Sequence, residues 1–219
     1  MSNILITGGN KGIGFALCRQ LRDQGHQVFA SSRKASPDLE EIGVQILDGI
    51  ELTDPDCGLN LASQLEQQPL DMLINNAGIL TRETFDDLNF DRIEKQFQVN
   101  TLAPLRIIHA LQNNLQSGGK IGIVTSRVGS MGDNSSGGIY GYRISKAAAN
   151  MVGVNLAHEM AGKGIAVALL HPGLVATEMT GRQGIDPETA AAGLIQRMED
   201  LSMETTGKFW HAEGYELPW

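Results

Sequence analysis

Short apolar runs alternate with helix-like segments along the whole chain of 219 residues. Strand-like runs are predicted at 3–8, 26–33, 44–48, 70–78, 119–126, 165–173 and 207–211. Helical segments are predicted at 12–25, 54–68, 87–115, 140–162 and 186–201. This alternation is typical of parallel strands joined by right-handed crossovers, so it predicts an α/β fold with a doubly wound sheet. Because no linker or repeat interrupts it, we expect one domain over residues 1–219.

The first strand runs into a glycine-rich turn, TGGNKGIG at positions 7–14, which opens the first helix. Gly8, Gly12 and Gly14 allow a tight turn and let a ligand approach the backbone closely. A helix N-terminus adds unpaired N–H groups and a partial positive charge, both of which favour a phosphate. Such a turn also occurs as a plain strand–helix connection, but ligands of doubly wound sheets bind at the carboxyl ends of strands. The turn therefore predicts a phosphate-binding site.

Two more motifs follow the glycine turn, NNAG at 75–78 and YRISK at 142–146. In this order and spacing the three motifs resemble those of the short-chain dehydrogenase/reductase family. The ending GKFWHAEGYELPW resembles that of a subgroup which includes sniffer-type carbonyl reductases and C-signal proteins. The resemblance implies a single-domain Rossmann fold with seven parallel strands in the order 3-2-1-4-5-6-7. It also implies an NAD(P)-dependent oxidoreductase.

The YRISK motif brings a proton donor next to a cation. Tyr142 and Lys146 are spaced i and i+4, which places them side by side on a helix. Hydride transfer to a carbonyl leaves an oxyanion that needs a proton, and a nearby ammonium lowers the pKa of a tyrosine. Tyr140 has Arg143 at i+3 instead, and an arginine cannot release its proton to a relay. We therefore predict Tyr142 and Lys146 as catalytic residues.

Two further polar residues complete the predicted catalytic set. Ser126 ends the fifth strand, where its hydroxyl can donate a hydrogen bond to the substrate carbonyl. The family's serine precedes the tyrosine by thirteen residues, whereas Ser126 precedes Tyr142 by sixteen, so the loop between them would be three residues longer. Ser130, twelve residues before Tyr142, is the alternative serine. The resemblance also implies that Asn100 holds a water that links the lysine to solvent.

The turn after the second strand, in FASSRK, carries no acid of the kind that binds the ribose 2′-hydroxyl of NAD. Ser32 and Arg33 stand there instead, and an arginine suits a phosphate. Together with Lys11 they predict NADP(H) in preference to NAD(H). On the adenine side the resemblance implies an acid after the third strand, either Glu51 or Asp48.

The resemblance implies that a larger set of residues holds the cofactor. In HPGLVAT, Val175 would bond the carboxamide through its backbone and Thr177 through its hydroxyl. The full set is Gly8, Asn10, Lys11, Gly12, Ile13, Gly14, Ser32, Arg33, Glu51, Leu52, Asn75, Asn76, Ala77, Gly78, Tyr142, Lys146, Pro172, Gly173, Val175 and Thr177. The short segment after Thr177 predicts an open, shallow pocket, with Met131, Tyr140 and Met179 as lining residues.

Composition limits the possible partners. Seventeen basic and twenty-five acidic residues give a net charge of −8, which disfavours nucleic acid and anionic membranes. No apolar run approaches a membrane span, and the sequence begins with strand-like residues rather than a signal peptide. Cys18 and Cys57 lack metal-ligand spacing, so no metal is expected. We predict a cytoplasmic protein, and the resemblance implies a homodimer or homotetramer.

Two functions fit these observations. The first is an NADPH-dependent oxidoreductase of a small aldehyde, ketone or quinone, and the set of Asn100, Ser126, Tyr142 and Lys146 favours it. The second is a nucleotide-binding signalling or regulatory protein that needs little turnover, as the resemblance to C-signal proteins allows. Turnover of any carbonyl compound distinguishes the two.

Overall fold

A computed structural model describes all residues 1–219. Its centre is a seven-stranded sheet in the order β3-β2-β1-β4-β5-β6-β7, in which every neighbouring pair is parallel. The strands are β1 (Asn3–Thr7), β2 (Gln27–Ser31), β3 (Gln45–Leu47), β4 (Leu70–Asn75), β5 (Leu115–Val124), β6 (Ala166–His171) and β7 (Phe209–His211). The α/β fold and the strand order predicted from the sequence are confirmed.

Helices cover both faces of this sheet. They are α1 (Gly12–Asp23), α2 (Pro37–Glu41), α3 (Cys57–Leu65), α4 (Phe90–Phe97), α5 (Ala103–Ala110), α6 (Tyr140–Ala161) and α7 (Pro187–Asp200). Side chains alternate along β1: Ile4 and Ile6 join the core under α1 and α7, whereas Leu5 joins the core under α3, α5 and α6. Because the strands are buried on both faces, they read as continuous apolar runs in the sequence.

The long helix predicted over 87–115 is not continuous. A π-helical turn, Gln98–Leu102, separates α4 from α5, and its closing N–H group bonds a carbonyl five residues back. Pro104 lies just after this turn and explains the break. An α-helix would need an N–H at this position to bond the carbonyl of Asn100, and proline has none. Asn100 therefore sits at the centre of an irregular turn, which is a frequent position for functional residues.

Two other segments differ from the predicted helices. The sequence does not predict α2; Ser36 caps it by accepting a hydrogen bond from the Leu39 N–H at 3.3 Å, and Pro37 occupies its first turn. The next helix, α3, begins later than predicted because the Asp54 carbonyl accepts a hydrogen bond from the Cys57 N–H at 3.1 Å and closes a separate turn. None of the helices combines the length and the apolar character needed to cross a membrane.

Candidate active site

The glycine turn between β1 and α1 can be built only with glycine at its closest points. A Cβ on Gly14 would lie 2.1 Å from the carbonyl oxygen of Gly8, and Gly8 and Gly12 have φ values of 70° and 55°. Lys11 precedes α1 and makes no side-chain hydrogen bond to it, so no side chain caps the first N–H groups. The turn has the room and the unpaired donors that a dinucleotide phosphate needs.

The NNAG segment lies against this turn. Asn76 Nδ2 donates to the Thr7 carbonyl at 3.0 Å, and the backbone N–H groups of Asn76 and Ala77 each donate to Thr7 Oγ1 at 3.1 Å. A Cβ on Gly8 would lie 3.0 Å from Ala77. Asn75 is buried, and neither polar atom of its amide has a partner. Sequence reasoning missed Thr7 as a positioning residue, although a hydroxyl at the end of β1 is an available signal.

Three other residues predicted to hold the cofactor make local contacts. The backbone carbonyl of Asn10 accepts a hydrogen bond from Ser36 Oγ at 3.1 Å. Ile13 and Leu52 are partly buried, and each packs against one of the two cores. The side chains of Ile13 and Leu52 therefore anchor the start of α1 and the segment after β3 to the cores.

Lys11 joins the glycine turn to the segment that follows β6. Its ammonium lies 2.5 Å from a carboxylate oxygen of Glu178, and both side chains are mostly exposed. A Cβ on Gly12 would lie 3.2 Å from the Thr177 methyl group, so the two segments touch. The sequence predicts Lys11 as a phosphate ligand and does not reveal this ion pair. A phosphate here would share Lys11 with Glu178.

Ser32 and Arg33, which are predicted to bind the 2′-phosphate, directly follow β2, and Asp48 and Glu51 follow the neighbouring strand β3. Ser32 is buried, and its hydroxyl donates to Asp48 Oδ1 at 3.1 Å. Arg33 is exposed, and its guanidinium lies 3.9 Å from the Glu51 carboxylate. Both acids considered for the adenine side therefore lie next to the residues considered for the phosphate. A phosphate bound by Arg33 would compete with Glu51 for the same cation.

Tyr142 lies in the first turn of α6 and is partly buried. Burial raises the pKa of the Tyr142 phenol to about 12, and a hydrogen bond with Ser126 acts in the opposite direction. Ser126 is buried directly after β5, where its Oγ also accepts a hydrogen bond from the Val128 N–H at 3.4 Å. The two hydroxyls that the sequence predicts for carbonyl chemistry are therefore neighbours.

Lys146 lies one helical turn beyond Tyr142 and is buried. Its Nζ donates to the Val124 carbonyl at 2.8 Å and lies 5.6 Å from the centre of the Tyr142 ring. Burial lowers the pKa of the Lys146 ammonium to about 8. The sequence argument predicts a fall in the pKa of Tyr142, and the net shift is the opposite. The reason is that desolvation of the phenol is the largest influence on its pKa.

Asn100 reaches from the π-helical turn to the segment after β4. Its Oδ1 accepts a hydrogen bond from the Ile79 N–H at 2.8 Å. Its Nδ2 donates to the Ile79 carbonyl at 2.9 Å and to Ser145 Oγ at 3.0 Å. A Cβ on Gly78 would lie 3.2 Å from Asn100 Oδ1 and 3.5 Å from Lys146 Nζ, so the three residues meet. Since both Nδ2 hydrogens are used, the predicted water would need Oδ1 or the Asn100 backbone carbonyl.

Three hydroxyl side chains that sequence reasoning missed hold α6 in place. Thr101 Oγ1 donates to the Ser145 carbonyl at 2.8 Å, on one side of the helix. Ser145 Oγ donates to the Tyr142 carbonyl at 2.8 Å, and Thr125 Oγ1 donates to the Lys146 carbonyl at 3.3 Å. Each of the three directly adjoins a predicted catalytic residue in the sequence, which is the only signal that could have found them.

The alternative serine, Ser130, lies farther along the loop after β5. Its Oγ accepts a hydrogen bond from the Asp133 N–H at 3.1 Å. Gly129 precedes it and packs so closely on α6 that a Cβ would lie 2.7 Å from the carbonyl carbon of Lys146. The structure thus brings Ser126 to Tyr142 and ties Ser130 to its own loop.

The segment after β6 folds back along the carboxyl end of the sheet. Pro172 is buried, and Gly173 has a φ of 86°, which allows the turn. The backbone then forms a bridge between Val175 and Ile185, and Thr180 Oγ1 donates to the Val175 carbonyl at 2.5 Å. The flap that these contacts close is short.

The residues predicted to line a substrate pocket are accessible to solvent. Met131 is 80 % exposed, Tyr140 37 % and Met179 38 %. The Tyr140 ring lies 6.4 Å from the Phe85 ring, at an angle of 50°. Their role in substrate binding stays a prediction.

Known proteins resemble this chain over most of its length. A family profile described as short chain dehydrogenase matches residues 2–188. The chain is 45 % identical over 226 aligned positions to 1-hydroxy-2-glutathionyl-2-methyl-3-butene dehydrogenase of Rhodococcus sp. (strain AD45), with 100 % of each chain covered. It is 36 % identical over 155 positions to C-signal of Myxococcus xanthus, and this alignment covers 69 % of this chain and 93 % of the relative.

Two solved structures with the same fold are carbonyl reductases. Carbonyl reductase Sniffer of D. melanogaster superimposes with a TM-score of 0.90 at 27 % identity, with 100 % of each chain covered. A carbonyl reductase from Pseudomonas aeruginosa PAO1 in complex with NADP gives a TM-score of 0.85 at 32 % identity, again with 100 % of each chain covered. The predicted resemblance and the oxidoreductase class are confirmed, and this chain belongs to the short-chain dehydrogenase family.

Proposed function

We propose that this chain is an NADPH-dependent oxidoreductase that interconverts a small carbonyl compound and its alcohol. The observation that carries the proposal is the meeting of Ser126, Tyr142 and Lys146 at one end of the sheet. A protein that only binds a nucleotide has no physical need for a phenol that interacts with a serine and lies close to a buried ammonium.

The residues of the glycine turn fit a dinucleotide. A Cβ on Gly14 would collide with the Gly8 carbonyl, and one on Gly8 would press on Ala77, so the backbone is free of side chains at the N-terminus of α1. The unpartnered amide of Asn75 lies at the neighbouring strand end and offers further hydrogen-bonding groups. We assign cofactor binding to these residues together with the other motif residues predicted from the sequence. When bound, NADPH supplies the hydride that adds to the carbonyl carbon.

The chain's own groups act on the carbonyl oxygen. Ser126 donates a hydrogen bond to this oxygen and orients it. Tyr142 transfers its hydroxyl proton to the oxygen as negative charge develops there, so that hydride and proton together give the alcohol. The Lys146 ammonium stabilises the phenolate that remains until a proton from solvent restores it. The Asn100 carbonyl, which receives no N–H from Pro104, is the acceptor we assign to the water of this relay.

Charge at the end of β2 supports NADP(H) in preference to NAD(H). Arg33 is exposed there, and the turn after β2 contains no carboxylate. Ser32 adds a hydroxyl, and the structurally similar Pseudomonas reductase binds NADP. Glu51 opposes this preference because it already lies near Arg33, so we expect the selectivity to be moderate.

Within this proposal we favour a substrate whose small reacting alcohol or carbonyl group carries a polar substituent that points away from the site. The 45 % identical relative is named for a hydroxyl compound that carries a glutathionyl group. The flap is short, and Met131 and Met179 stay exposed, so a long substituent could extend into solvent from the reacting carbon.

We also propose an organisation for the whole chain. β7 pairs with β6, which supports one domain over residues 1–219. The helices α4, α5 and α6 expose large apolar side chains, which supports a homodimer or homotetramer through this face. These side chains are Phe90, Leu105, Ile144 and Met151. Both cysteines are free and buried, which agrees with a cytoplasmic location.

Oxidation of NADPH in the presence of a panel of aldehydes, ketones and quinones tests the proposed function. We expect turnover of at least one carbonyl compound and tighter binding of NADPH than of NADH in calorimetry. The 36 % identity to C-signal keeps a signalling role as the second candidate. Tight NADPH binding with no turnover of any carbonyl or of a hydroxyalkyl glutathione conjugate would favour that second role.

A further inference from the structure

Three polar rings lie side by side at the carboxyl ends of β6 and β7. His171 ends β6, His211 ends β7, and the two are paired in the sheet. Their rings meet edge to face, with centroids 5.0 Å apart. The Tyr215 ring stacks on His211 with centroids 4.5 Å apart and 8° between the planes. We call these three residues the His–Tyr cluster.

The cluster contains polar atoms that the protein itself does not fully use. His171 is only 9 % exposed, and its Nδ1 has no hydrogen-bond partner. A buried polar atom of this kind is costly, so packing alone does not account for a histidine here. His211 Nδ1 accepts a hydrogen bond from the Glu213 N–H at 3.1 Å, which leaves Nε2–H as a donor. That nitrogen faces the turn after β6, because a Cβ on Gly173 would lie 3.6 Å from it.

One fixed positive charge stands at the edge of the cluster. Arg127 directly follows Ser126, its guanidinium pairs with the Asp133 carboxylate, and half of its side chain is exposed. Burial lowers the pKa of His171 to about 3, and the neighbouring His211 and Arg127 add to this effect. Burial also lowers the pKa of His211. At neutral pH the imidazoles are therefore uncharged donors and acceptors, and Arg127 supplies the positive charge.

The C-terminal segment, which carries Tyr215, also contacts the loop that follows Ser126. The Gly132 N–H donates to the Trp219 carbonyl at 2.7 Å, and the Trp219 ring stacks on Phe209 with centroids 5.6 Å apart. These contacts fix the loop that carries Asp133 to the same segment that carries Tyr215. The charges of Arg127 and Asp133 both act on His171, so this pair and the cluster lie at the same end of the sheet.

We propose that the His–Tyr cluster and Arg127 bind a carboxylate of the substrate, at the end remote from the reacting carbonyl. The inference rests on the proposed function, because Ser126 has to hold the carbonyl while the carboxylate reaches Arg127. In the free protein the Asp133 carboxylate pairs with Arg127. A carboxylate of the substrate would take the place of Asp133 beside the Arg127 guanidinium. His211 Nε2–H and the Tyr215 hydroxyl add neutral donors, and charge-assisted hydrogen bonds of this kind are strong.

Paired probes that differ by one charge test this proposal. Calorimetry of the NADP⁺-loaded protein compares 4-carboxybenzaldehyde with its uncharged methyl ester, methyl 4-formylbenzoate. We expect the acid to bind more tightly, and Arg127→Gln to weaken the acid about tenfold while leaving the ester unchanged. Arg19→Gln is the matched control. Arg19 lies on α1 and also pairs with a carboxylate, that of Glu188, but it lies outside the proposed carboxylate site. This variant should affect neither probe.

If the proposal is correct, Asp133→Asn should strengthen binding of the acid, whereas Arg127→Gln weakens it. Asp133→Asn removes the anion that competes for Arg127, so the acid should bind several-fold more tightly and the ester should not change. Tyr215→Phe should weaken the acid by a smaller factor than Arg127→Gln. Equal losses for acid and ester, or weaker binding of the acid to Asp133→Asn, would overturn the carboxylate site. Unchanged NADP⁺ affinity shows that each variant is folded.

NADPH oxidation with the same two aldehydes separates this inference from the proposed function. If neither aldehyde nor any other carbonyl is reduced but binding of the acid depends on Arg127, the oxidoreductase proposal fails and the carboxylate site stands. If both are reduced with a ratio of kcat/KM that Arg127→Gln leaves unchanged, the carboxylate site fails and the oxidoreductase proposal stands.

Discussion

The two ends of the predicted cofactor cleft are built differently. At the start of α6, Lys146 is buried and Tyr142 partly buried, and burial moves their pKa values in opposite directions. At the ends of β2 and β3, Arg33 and Glu51 are exposed and face each other across 3.9 Å. At the first end, packing and hydrogen bonds fix the positions of the side chains. At the second end, the position of the exposed Arg33 side chain depends on which anion it contacts.

This difference decides how a substitution should act. Removing a group from the enclosed end leaves neighbours that cannot reach water or another partner, so the expected effects are large and specific. At the exposed end, a substitution removes one member of an ion pair that solvent and salt already screen. The expected effects are therefore small and depend on which other anion competes for the remaining charge.

Tyr142→Phe should have the largest effect, because it removes the proposed proton donor and keeps the ring. We expect kcat to fall by roughly 10²- to 10⁴-fold, with NADPH affinity nearly unchanged. Steady-state kinetics and calorimetry measure the two quantities. Tyr140→Phe is the control and should alter KM more than kcat. A larger fall in kcat for Tyr140→Phe than for Tyr142→Phe would reverse the assignment.

Ser126→Ala should reduce kcat by about 10²-fold, since it removes a hydrogen bond to the developing oxyanion. Ser130→Ala removes a hydroxyl whose partner is the Asp133 N–H and should leave kcat within a few-fold of the parent protein. Single-turnover kinetics of both variants provides the comparison. The opposite ranking would mean that the loop after β5 places Ser130 in the reacting position.

Lys146→Met should abolish a pH dependence of stability. The pKa of Lys146 is about 8 in the folded protein, below the unfolded value of about 10.4. The unfolded chain therefore binds more protons between these values, and the free energy of unfolding rises with pH across this window. From about pH 7 to about pH 9.5 Lys146 should contribute a gain of about 2 kcal/mol. Cys18 opposes part of this gain, because burial raises the pKa of its thiol to about 12 in the folded protein.

Urea unfolding at the two pH values measures this gain. In Lys146→Met the gain should be absent, whereas Lys163→Met, at an exposed position on the same side of the sheet, should retain it. An equal gain in all three proteins would show that Lys146 is not the buried cation responsible.

Arg33→Ala should have the smallest effect. We expect NADPH affinity to fall about tenfold and NADH affinity by no more than about twofold, because only NADPH carries the 2′-phosphate. Calorimetry with both cofactors provides the measurement. Glu51→Gln should raise NADPH affinity a few-fold by removing the competing anion. Equal losses of NADPH and NADH in Arg33→Ala would show that Arg33 does not contact the phosphate.

Much of the fold could be predicted because its signals are local. Alternation of apolar runs predicts the strands and a doubly wound sheet, the family resemblance implies their order, and the glycine turn marks where the first strand ends. The helix predicted over 87–115 failed where a backbone detail decided the outcome, since Pro104 removes one hydrogen bond and a π-helical turn forms instead. The short α2 was missed because five residues carry too little periodicity to recognise.

The catalytic pair was predictable for the same reason. The i, i+4 spacing of Tyr142 and Lys146 is a property of any helix, so the sequence predicts that they share a face. It does not predict the direction of the Tyr142 pKa, which depends on how much water the surrounding strands exclude. It also does not predict that Thr7, Thr101 and Thr125 hold these segments together, because their partners come from other elements.

The sequence by itself determined the strand–helix alternation, the glycine turn and the spacing of the catalytic side chains, since each depends on neighbours within a few positions. Only the tertiary structure decided the ionic partners of Lys11 and Arg33, the choice of Ser126 as the hydroxyl beside Tyr142, and the meeting of His171 with His211. Electrostatic and hydrogen-bonding partners are chosen by distance in space and by exclusion of water, and neither quantity can be read along the chain.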